Sequence, residues 1–530
     1  MPTDCISFQD SGYFTPIMND YLDRKPNLQP LYNRFPTLEN FGAQLAEKQG
    51  NFNDDYRKTL VAVLRKQYGN LKVSALTLQN IASIENTNTF TITTGHQLNL
   101  YTGPLYFLYK IISAVNLAGE LKSKYPDRNF VPVYWMATED HDFEEINYFN
   151  FKGKKFRWNR ETSGPVGRLS TEGLSDVFEV FALEIGSGNN ASTIRALFEA
   201  AYLKHENLAD ATRFLANALF ADYGLVILDA DNADLKREFI PYMKQELLEQ
   251  TSNKKVLETI EKMGDYNIQV NPREINLFYI GDNLRERIVL ADGGFQVNNT
   301  QIKFTESEMV SELEAHPEKF SPNVIMRPLY QEVILPNLCY IGGGGELAYW
   351  LELKSSFDAV GVAFPILLLR NSVLLATEKQ AKKADRLGLS WKDLFSKQED
   401  LANRKIKGLS EFPIDFTPQK TLLRKQFDDL HNIAAQTDKS FAGAVKAQEA
   451  KQIKGLENLE KRLLKAQKRK HADELERIAD LQNELFPNNS LQERQANFSE
   501  FYLENGNALI GELFKTLKPL ESEFNILILN

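Results

Sequence analysis

The chain has 530 residues, 43% of them hydrophobic and 25% charged, which is typical of a soluble globular protein of about three domains. Its formal net charge of −9 argues against a generally basic nucleic-acid-binding protein, and no apolar stretch reaches the roughly 20 residues of a transmembrane helix. The N-terminus lacks a signal-peptide pattern and there are only two cysteines, so we expect a reduced, cytoplasmic protein without a disulfide framework.

The first part of the chain divides into two regions. Residues 1–84 are predicted to be mainly helical and to pack on the core. In residues 85–375, short apolar β-prone runs alternate with amphipathic stretches. This alternation is typical of an α/β domain with a mostly parallel sheet.

The first strand–turn–helix–strand unit begins with the β-prone run of residues 89–94. A turn that contains Gly95, His96 and Gln97 follows, then a helix with a 3.6-residue apolar period, and then a second buried strand at residues 130–137. Such βαβ units are nearly always parallel, and ligands of open α/β sheets bind beyond the carboxyl ends of the strands. The sequence therefore predicts a ligand site at this edge.

The second strand leads into a crowded acidic segment around one imidazole, Glu139, Asp140, His141 and Asp142. Crowded carboxylates raise some of their own pKa values, or they hold a cation or an ammonium group. A solvated loop is the alternative. The position directly after a buried strand favours a functional site.

Two further strand ends carry candidate contacts. Residues 224–229 form a third strand that ends in Asp229, which is either a ligand contact or a helix cap. Residues 335–341 precede four glycines, Gly342–Gly345, and a helix, an arrangement in which backbone N–H groups can hold a phosphate or carboxylate. The loop matches neither a Walker A nor a G-x-G-x-x-G motif, and a simple tight turn is the alternative.

Two arginines near the glycine loop, Arg327 and Arg370, are candidates for binding a carboxylate or phosphate, with ordinary ion pairs as the alternative. We expect an anionic ligand where the Gly95 turn and the Gly342–Gly345 loop face each other across the sheet edge.

The last part of the chain is predicted to be helical over residues 376–505, where apolar residues recur at spacings of three and four. This pattern is typical of a coiled coil. The basic stretch between Ala442 and Lys470 is interpreted as the solvated face of that coiled coil, with a polyanion contact as the alternative. Residues 506–530 end in a short apolar run that is expected to return to the core.

Four segments together carry a resemblance to a known family. They read T-G-H-Q-L-N-L-Y-T-G-P-L-Y, V-P-V-Y-W-M-A-T-E-D-H-D-F-E-E-I-N, S-P-N-V-I-M-R-P-L-Y-Q-E and G-G-G-G-E-L-A-Y-W. With these the chain resembles, over nearly its whole length, the BshC family, the cysteine ligases of bacillithiol biosynthesis. That family commonly has Gly-Gln-Gln where this chain has Gly95-His96-Gln97.

The resemblance implies a Rossmann-like core with inserted segments, here at about residues 151–215 and 245–320, and a C-terminal coiled coil that pairs two subunits. It also implies a reaction that joins the carboxyl group of cysteine to the amine of glucosaminyl-malate. Because a carboxylate does not acylate an amine unaided at neutral pH, we expect ATP and Mg²⁺ as activating partners, although no nucleotide motif shows them. The expected partners are thus small molecules and a second copy of the chain, without membrane or nucleic acid.

The candidate site follows from these segments. The expected catalytic residues are Glu139, Asp140, His141, Asp142 and His96. The expected substrate- and nucleotide-binding residues are Gly95, Gln97, Asn99, Thr102, Gly103, Asn147, Asp229, Arg327, Gln331, Gly343, Gly344, Glu346, Tyr349, Trp350 and Arg370. Another Rossmann-type nucleotidyl or acyl transferase and a non-catalytic coiled-coil assembly protein are the alternative functions.

Overall fold

The structure, a computed structural model, describes residues 4–69, 71–291 and 293–529. The chain divides into two compact units. The first contains the segment up to residue 9, residues 13–375 and the segment from 490 onward. The second contains residues 10–12 and 376–489.

The strands of the described residues are, in chain order, β1 (Asp4–Ser7), β2 (Thr89–His96), β3 (Asn129–Met136), β4 (Tyr148–Phe151), β5 (Lys154–Arg157), β6 (Val226–Asp229), β7 (Leu277–Gly281), β8 (Leu284–Ala291), β9 (Gly294–Val297), β10 (Lys303–Phe304), β11 (Phe320–Pro322), β12 (Asn337–Gly342), β13 (Ile366–Leu369), β14 (Ser372–Thr377) and β15 (Glu523–Leu529).

The α-helices are α1 (Phe8–Ser11), α2 (Pro16–Leu22), α3 (Leu38–Asn51), α4 (Tyr56–Tyr68), α5 (Ala75–Ser83), α6 (Tyr106–Lys124), α7 (Phe143–Ile146), α8 (Leu174–Ile185), α9 (Asn189–Tyr202), α10 (Leu208–Phe220), α11 (Ala233–Glu249), α12 (Thr251–Met263), α13 (Glu306–Ala315), α14 (Arg327–Ile334), α15 (Gly344–Leu351), α16 (Lys354–Val360), α17 (Glu378–Arg386), α18 (Trp391–Leu394), α19 (Gln398–Leu409), α20 (Thr417–Ala434), α21 (Lys439–Lys470), α22 (Ala472–Leu485), α23 (Gln492–Gln495), α24 (Phe498–Asn505) and α25 (Ala508–Thr516).

The central sheet of the first unit has the strand order β13-β12-β2-β3-β6, and its neighbouring strands are all parallel. Residues of β2 are buried throughout, as expected for a parallel strand covered on both faces. The hydroxyl groups of Thr91 and Thr93 in β2 are satisfied by Asn337 Oδ1 of β12, at 3.2 and 2.8 Å. The predicted parallel α/β core is therefore present, with α6 joining β2 to β3.

The carboxyl ends of the central strands meet at one edge, because the strands run in the same direction. His96 pairs in register with Met136, which pairs in turn with Asp229, and Gly342 pairs with Leu369. The turns that follow these strands therefore lie side by side. This edge is where the sequence predicts the ligand site.

Two long connections interrupt the central sheet. Between β3 and β6 the chain forms the β4–β5 hairpin and helices α8, α9 and α10. Between β6 and β12 it forms a five-stranded sheet of order β10-β9-β8-β7-β11 together with α11–α14. The expected insertions at about 151–215 and 245–320 fall within these two connections.

The C-terminal strand β15 pairs antiparallel with β1 and lies between β1 and β14. The terminal apolar run thus returns to a sheet, but to this small sheet and not to the central one. Helices α23 and α24 fall in the region 376–505, which the sequence predicts to be helical, and they lie in the first compact unit because the second ends at residue 489.

The second unit contains helices α17–α22, of which α21 is 32 residues long. Helices α20 and α21 pack together through a small apolar cluster of Phe427, Ala434 and Val445. Among the described residues, none of the helices combines the length and the apolar character needed to cross a membrane.

Candidate active site

A cleft of about 550 Å³ lies at the carboxyl edge of the central sheet. We call it the first cleft. Its lining comes from the ends of β2, β3 and β12, from the insertion between β6 and β12, and from α15, and it includes Gly95, His96, Gln97, Trp135, Glu139, Asp140, His141, Asp142, Arg273, Phe278, Arg285, Arg287, Arg327, Tyr340, Glu346 and Tyr349.

The acidic segment after β3 forms one wall of the first cleft. The connection between β3 and β6 holds this segment through backbone hydrogen bonds. They run from Val166 N–H to Asp140 O (2.7 Å) and from Gly167 N–H to Thr138 O (2.8 Å). A Cβ atom at Gly167 would lie 2.6 Å from Thr138 Cβ, so only glycine permits this approach. The acidic wall is therefore a fixed turn and not a freely solvated loop.

A buried ion network supports the acidic wall from behind. Lys236 of α11 is fully buried, and its Nζ lies 2.5 Å from Glu139 Oε1 and 3.0 Å from Asp231 Oδ1. Arg168 donates two hydrogen bonds to the carboxylate of Asp231, at 2.8 and 3.0 Å. Buried charges need such partners, because an unpaired charge in the interior is very costly.

The pKa values of Glu139 and Asp140 are shifted in opposite directions. Burial raises the pKa of Glu139, although the charge of Lys236 opposes that shift. Burial also acts to raise the pKa of Asp140, but hydrogen bonds from His141 and Gln97 and the charge of Arg285 outweigh it and hold the pKa far below its usual range. Asp140 is thus ionised at physiological pH, and Glu139 is the stronger base of the two.

Asp229, predicted as a ligand contact, lies behind the acidic wall and outside the first cleft. Its Oδ1 accepts hydrogen bonds from Thr138 Oγ1 (2.5 Å) and from the N–H of Asp231 (3.0 Å), and its other oxygen is 3.7 Å from Arg213. Asp229 therefore braces the turn at the end of the neighbouring strand.

Arginines from the connection between β6 and β12 form the opposite wall of the first cleft. Arg285 and Arg287 are on β8, two residues apart on the same face of the strand, and Arg273 precedes β7. The guanidinium group of Arg285 lies over the Phe278 ring at 3.9 Å and donates to His141 Nδ1 at 2.6 Å. Because arginine can only donate, this Nδ1 atom is an acceptor.

These three arginines were not predicted from the sequence. They come from a different part of the chain, more than 100 residues after the acidic segment, and nothing in the sequence places the insertion over the sheet edge. The alternation Leu284-Arg285-Glu286-Arg287 was the one available signal, because it puts two arginines on the same face of a strand.

Arg327, predicted as a binding residue, lines the first cleft inside a cage of aromatic rings. Its guanidinium carbon is 5.7, 5.5 and 5.8 Å from the ring centres of Trp135, Tyr340 and Trp350. Nη1 donates to Gln331 Oε1 at 3.1 Å, while Nη2 is buried and has no hydrogen-bond partner within the described residues. An oriented arginine with an unused donor suits an anionic group of a ligand.

His96 lies at the end of β2 with 7% of its surface exposed. Burial, together with the charge of Lys110, lowers its pKa well below the usual range, so the imidazole is neutral at physiological pH. Its Nε2 is buried and unpaired within the part of the chain that the structure describes. His96 lines the first cleft beside Gly95 and Gln97.

In the glycine loop after β12, a side chain of the protein occupies the position that was expected to bind an anion. The N–H group of Gly343, which was expected to hold an anionic ligand, donates to Glu346 Oε2 at 2.7 Å. The other Glu346 oxygen accepts from Lys110 Nζ at 2.6 Å, and the same Nζ donates to Gly95 O at 2.7 Å. The carboxylate of Glu346 therefore takes the expected position of an anion and joins the Gly95 turn to the loop. Gly344 packs beside Met18, with 3.3 Å between an added Cβ and Met18 Cγ.

Arg370 is bonded within the protein and does not line the first cleft. Its guanidinium group pairs with the buried Glu493 at 2.8 Å, donates to Asn371 O and Ser372 Oγ, and lies over the Tyr106 ring at 5.0 Å. Gln331, Trp350, Asn147 and Thr102 are likewise buried outside the lining, whereas Tyr349 is part of it.

A second cleft of about 580 Å³ adjoins the first. Its lining includes Gln97, Asn99, Gly103, Pro104, Tyr106, Glu144, Glu145, Tyr148, Phe149, Asn150, Ser490, Arg494 and Gln495. Gln97 lines both clefts, and its Nε2 donates to Asp140 Oδ2 at 3.0 Å and to Glu145 Oε2 at 2.9 Å. The predicted residues Asn99 and Gly103 therefore belong to the second cleft.

Among the residues that the structure describes, Asp140, His141 and Asp142 form a group that could hold a metal ion, since ligand atoms of all three lie within 4.8 Å of one another. Carboxylate oxygens are ligands that Mg²⁺ prefers, whereas an imidazole suits transition metals better. An aspartate of this group thus fits Mg²⁺, whose remaining ligands would be water and phosphate oxygens.

Two sequence families match nearly the whole chain. Residues 1–371 match the family described as "Bacillithiol biosynthesis BshC, N-terminal Rossmann-like domain". Residues 373–529 match the one described as "Bacillithiol biosynthesis BshC, C-terminal coiled-coil domain". The predicted fold, a Rossmann-like α/β core followed by a coiled coil, is confirmed.

Curated relatives named "Putative cysteine ligase BshC" match nine tenths or more of the chain. The Flavobacterium johnsoniae protein is 70% identical over 99% of this chain and 100% of its own length. The Cytophaga hutchinsonii protein is 40% identical over 98% of this chain and 97% of its own length. The protein of Bacillus cereus strain AH187 is 30% identical over 90% of this chain and 91% of its own length.

These matches confirm the resemblance that the four sequence motifs indicated, and they confirm the prediction of an enzyme of the ligase class at the level of the family. The motifs themselves supply the central strand ends and much of the lining of the first cleft. The chain belongs to the BshC family of bacillithiol biosynthesis.

Proposed function

We propose that this protein joins the carboxyl group of cysteine to the amine of glucosaminyl-malate, after activation of the carboxyl group with ATP and Mg²⁺. The names of its relatives support cysteine as a substrate. The acceptor and the activation step follow from the resemblance and from the chemistry of the first cleft. The substrate contains a thiol, which is consistent with a protein of the reducing cytoplasm.

The opposite charges of the two walls of the first cleft carry this proposal. Glu139, Asp140 and Asp142 lie on one wall, and Arg273, Arg285 and Arg287 lie on the other. An amino acid carries both charges, so its ammonium group fits the acidic wall and its carboxylate faces the arginines. Asp140, which stays ionised, is the residue that would bind the ammonium group.

ATP would supply the phosphate that turns a carboxylate oxygen into a leaving group. The arginines of the first cleft, with the unused donor of Arg327, would bind its phosphates. The exposed Asp142 would hold Mg²⁺ together with phosphate oxygens and water, while Asp140 binds the ammonium group. Charge neutralisation by such groups is how proteins assist phosphate chemistry.

Amide formation then requires one proton transfer. The amine nitrogen of the acceptor forms the new C–N bond, the C–O bond to the phosphate breaks, and the phosphate group leaves with the electron pair. Glu139 would accept the proton that the nitrogen loses, because its raised pKa makes it the better base of the two neighbouring carboxylates.

We also propose that two chains pair through the second unit. Apolar side chains remain exposed on α20 and α21, among them Leu422 (63%), Ile433 (53%) and Leu459 (53%). A helix that leaves such residues in water normally buries them against a partner, and two-fold pairing is the commonest arrangement.

A reconstituted reaction tests the proposed function. Purified protein receives ATP, Mg²⁺, cysteine and glucosaminyl-malate, and mass spectrometry follows the products. We expect the condensed thiol only when all four are present, and its loss when serine replaces cysteine. Condensation of a different acid, or no product from a folded protein, would favour another acyl transferase or a non-catalytic assembly protein.

A further inference from the structure

The second cleft has a chemical character different from that of the first. Its charged lining residues are Glu144, Glu145 and Arg494, and most of the others carry amide or hydroxyl groups. Glu144 pairs with Arg157 outside the cleft, whereas Glu145 turns one oxygen to Gln97. Carboxylates repel a triphosphate, but each accepts hydrogen bonds from hydroxyl groups and pairs with an ammonium group. The second cleft therefore suits a polyhydroxylated, amine-bearing ligand.

A buried acceptor in the second cleft points to a ligand. Asn99 is 8% exposed and its Nδ2 donates to Glu145 O at 3.2 Å, while its Oδ1 is buried and has no hydrogen-bond partner among the described residues. Buried polar atoms without a partner are rare in native proteins and call for an explanation. A hydroxyl or amine group of a bound ligand would supply the missing donor.

The turn that carries Asn99 is held in place from several sides. Gly103 has φ +60°, and a Cβ atom there would lie 2.6 Å from Asn99 Cβ, so glycine is required for the close contact. The side chain of the buried Asn497 donates to the carbonyl groups of Tyr101 and Gly103, at 2.8 and 2.6 Å. Asn99 thus has a fixed position at the second cleft, independent of any ligand.

Arg494 provides a positive charge in the same lining. It is exposed, and it forms no ion pair with any residue in the described ranges. An arginine without a carboxylate partner can bind a carboxylate of the ligand through two parallel hydrogen bonds. The second cleft therefore combines sites for hydroxyl groups, for an ammonium group and for a carboxylate.

Gln97 connects this cleft with the first. A single amide nitrogen bonds Asp140 on one side and Glu145 on the other, so the two clefts are separated by one side chain. A ligand that Glu145 and Asn99 hold could therefore extend an amine past Gln97 toward Glu139 and Asp140.

We infer that the second cleft binds the amine-bearing acceptor, an amino sugar that carries a carboxylate, and presents its nitrogen to the first cleft beside Gln97. The inference rests on the proposed function, for which the acceptor is glucosaminyl-malate. Glu145 and Asn99 bind the sugar, and Arg494 binds a malate carboxylate.

Calorimetry with glucosaminyl-malate tests the inference, with Arg494→Gln and Glu145→Gln as variants. Both side chains are exposed, so both variants should fold. We expect the dissociation constant for glucosaminyl-malate to rise at least tenfold in each, with the KM for cysteine within twofold of the parent. Arg386→Gln is the matched control, at an exposed arginine outside both clefts, and should bind as the parent does. Titrated separately, glucosamine should bind Glu145→Gln more weakly than the parent, and malate should bind Arg494→Gln more weakly than the parent.

Three results would overturn the inference, and they separate it from the proposed function. If the parent binds and condenses glucosaminyl-malate but both variants bind it equally well, the second cleft is not the acceptor site and the proposed function stands. If Arg494→Gln weakens the binding of ATP and leaves that of glucosaminyl-malate unchanged, the second cleft is again not the acceptor site. If the parent neither binds nor condenses glucosaminyl-malate, the inference and the proposed function both fail.

Discussion

Glu139 and Asp140 are adjacent residues with different surroundings and, as we propose, different roles. Asp140 accepts hydrogen bonds from Gln97 and from the N–H of His141, which stabilise its charged form. Glu139 is more deeply enclosed and pairs with Lys236. A charged carboxylate of low basicity suits an ammonium group, whereas one of raised pKa suits proton transfer.

Asp140→Asn and Glu139→Gln should therefore have distinct kinetic effects. Asp140→Asn should raise the KM for cysteine at least tenfold, because it removes the charge that binds the ammonium group. Glu139→Gln should lower kcat about 100-fold, the usual effect of losing a general base. Steady-state kinetics of folded variants measures both, with the exposed Asp127→Asn as control. Equal effects of the two variants on KM and kcat would contradict the division of roles.

Glu352 gives the protein a pH-dependent stability. It is buried and accepts the N–H groups of Gln269 (2.6 Å) and Val270 (3.2 Å), and Val270 lines the first cleft. Burial raises its pKa from 4.5 to about 7. Between these pH values the unfolded chain has released a proton that the folded protein keeps, so the stability contribution of Glu352 is fully present below pH 4.5 and is lost as the pH rises to about 7.

Thermal unfolding of Glu352→Gln across this pH range measures the effect. The melting temperature of the parent relative to the variant should fall by a few degrees as the pH rises. The exposed Glu161→Gln should follow the parent throughout. Parallel curves for the parent and Glu352→Gln would show that the carboxyl group titrates normally.

Residues on the two strand ends were within reach of sequence reasoning, because parallel strands present their carboxyl ends at one edge. Gly95–Gln97 and Glu139–Asp142 were expected there and line one cleft. Asp229 and Arg370 were expected beside them, but both lie outside this cleft. Asp229 is close to Arg213, and Arg370 forms an ion pair with Glu493. A sequence shows which residues are charged, but not which partner far along the chain satisfies them.

Helix α11 is the element that supports the acidic wall, through Lys236. No sequence pattern distinguishes this lysine from Lys244, the other lysine of the same helix, because its burial depends on the connection between β6 and β12 that covers it. Its Nζ contacts Glu139, Asp231 and Glu318 O, the last at 3.2 Å. Removing it would leave the carboxylate of Glu139 without its ion-pair partner, and Asp231 with Arg168 alone.

Lys236→Met should lower the free energy of unfolding by about 3–5 kcal/mol, the usual cost of leaving buried charges without a partner. In folded enzyme it should also move the acid limb of the kcat/KM profile to higher pH, because Glu139 loses the positive neighbour that lowers its pKa. Lys244→Met on the same helix removes only an exposed pair with Glu314 and should cost less than about 1 kcal/mol. An unchanged pH limb in Lys236→Met would mean that Glu139 is not the base.

The whole molecule is expected to be a dimer that forms through α20 and α21. The sequence indicated a coiled coil, and the structure shows that Phe427 and Val445 pack between these two helices while Ile433 and Leu459 stay exposed. The apolar periodicity of the sequence could not distinguish the buried residues from the exposed ones. Residues that pack within one chain and residues that pack between two chains follow the same apolar pattern.

Light scattering measures the association. The parent should show twice the chain mass of 60.5 kDa, and Ile433→Asp/Leu459→Asp should show a single chain. Leu183→Asp, at a residue of α8 that is 84% exposed, is the matched control and should leave the mass unchanged. A parent that is already a monomer at micromolar concentration would contradict the proposed pairing.

Transfer of an oxygen label tests the central claim most directly, namely that this protein activates the carboxyl group of cysteine with ATP before the amine attacks it. Cysteine labelled with ¹⁸O in its carboxyl group is condensed with glucosaminyl-malate, and mass spectrometry follows the label. We predict that one ¹⁸O atom per product appears in the AMP or inorganic phosphate released. Product formation with no label in either phosphorus compound would contradict activation of the carboxyl group by ATP.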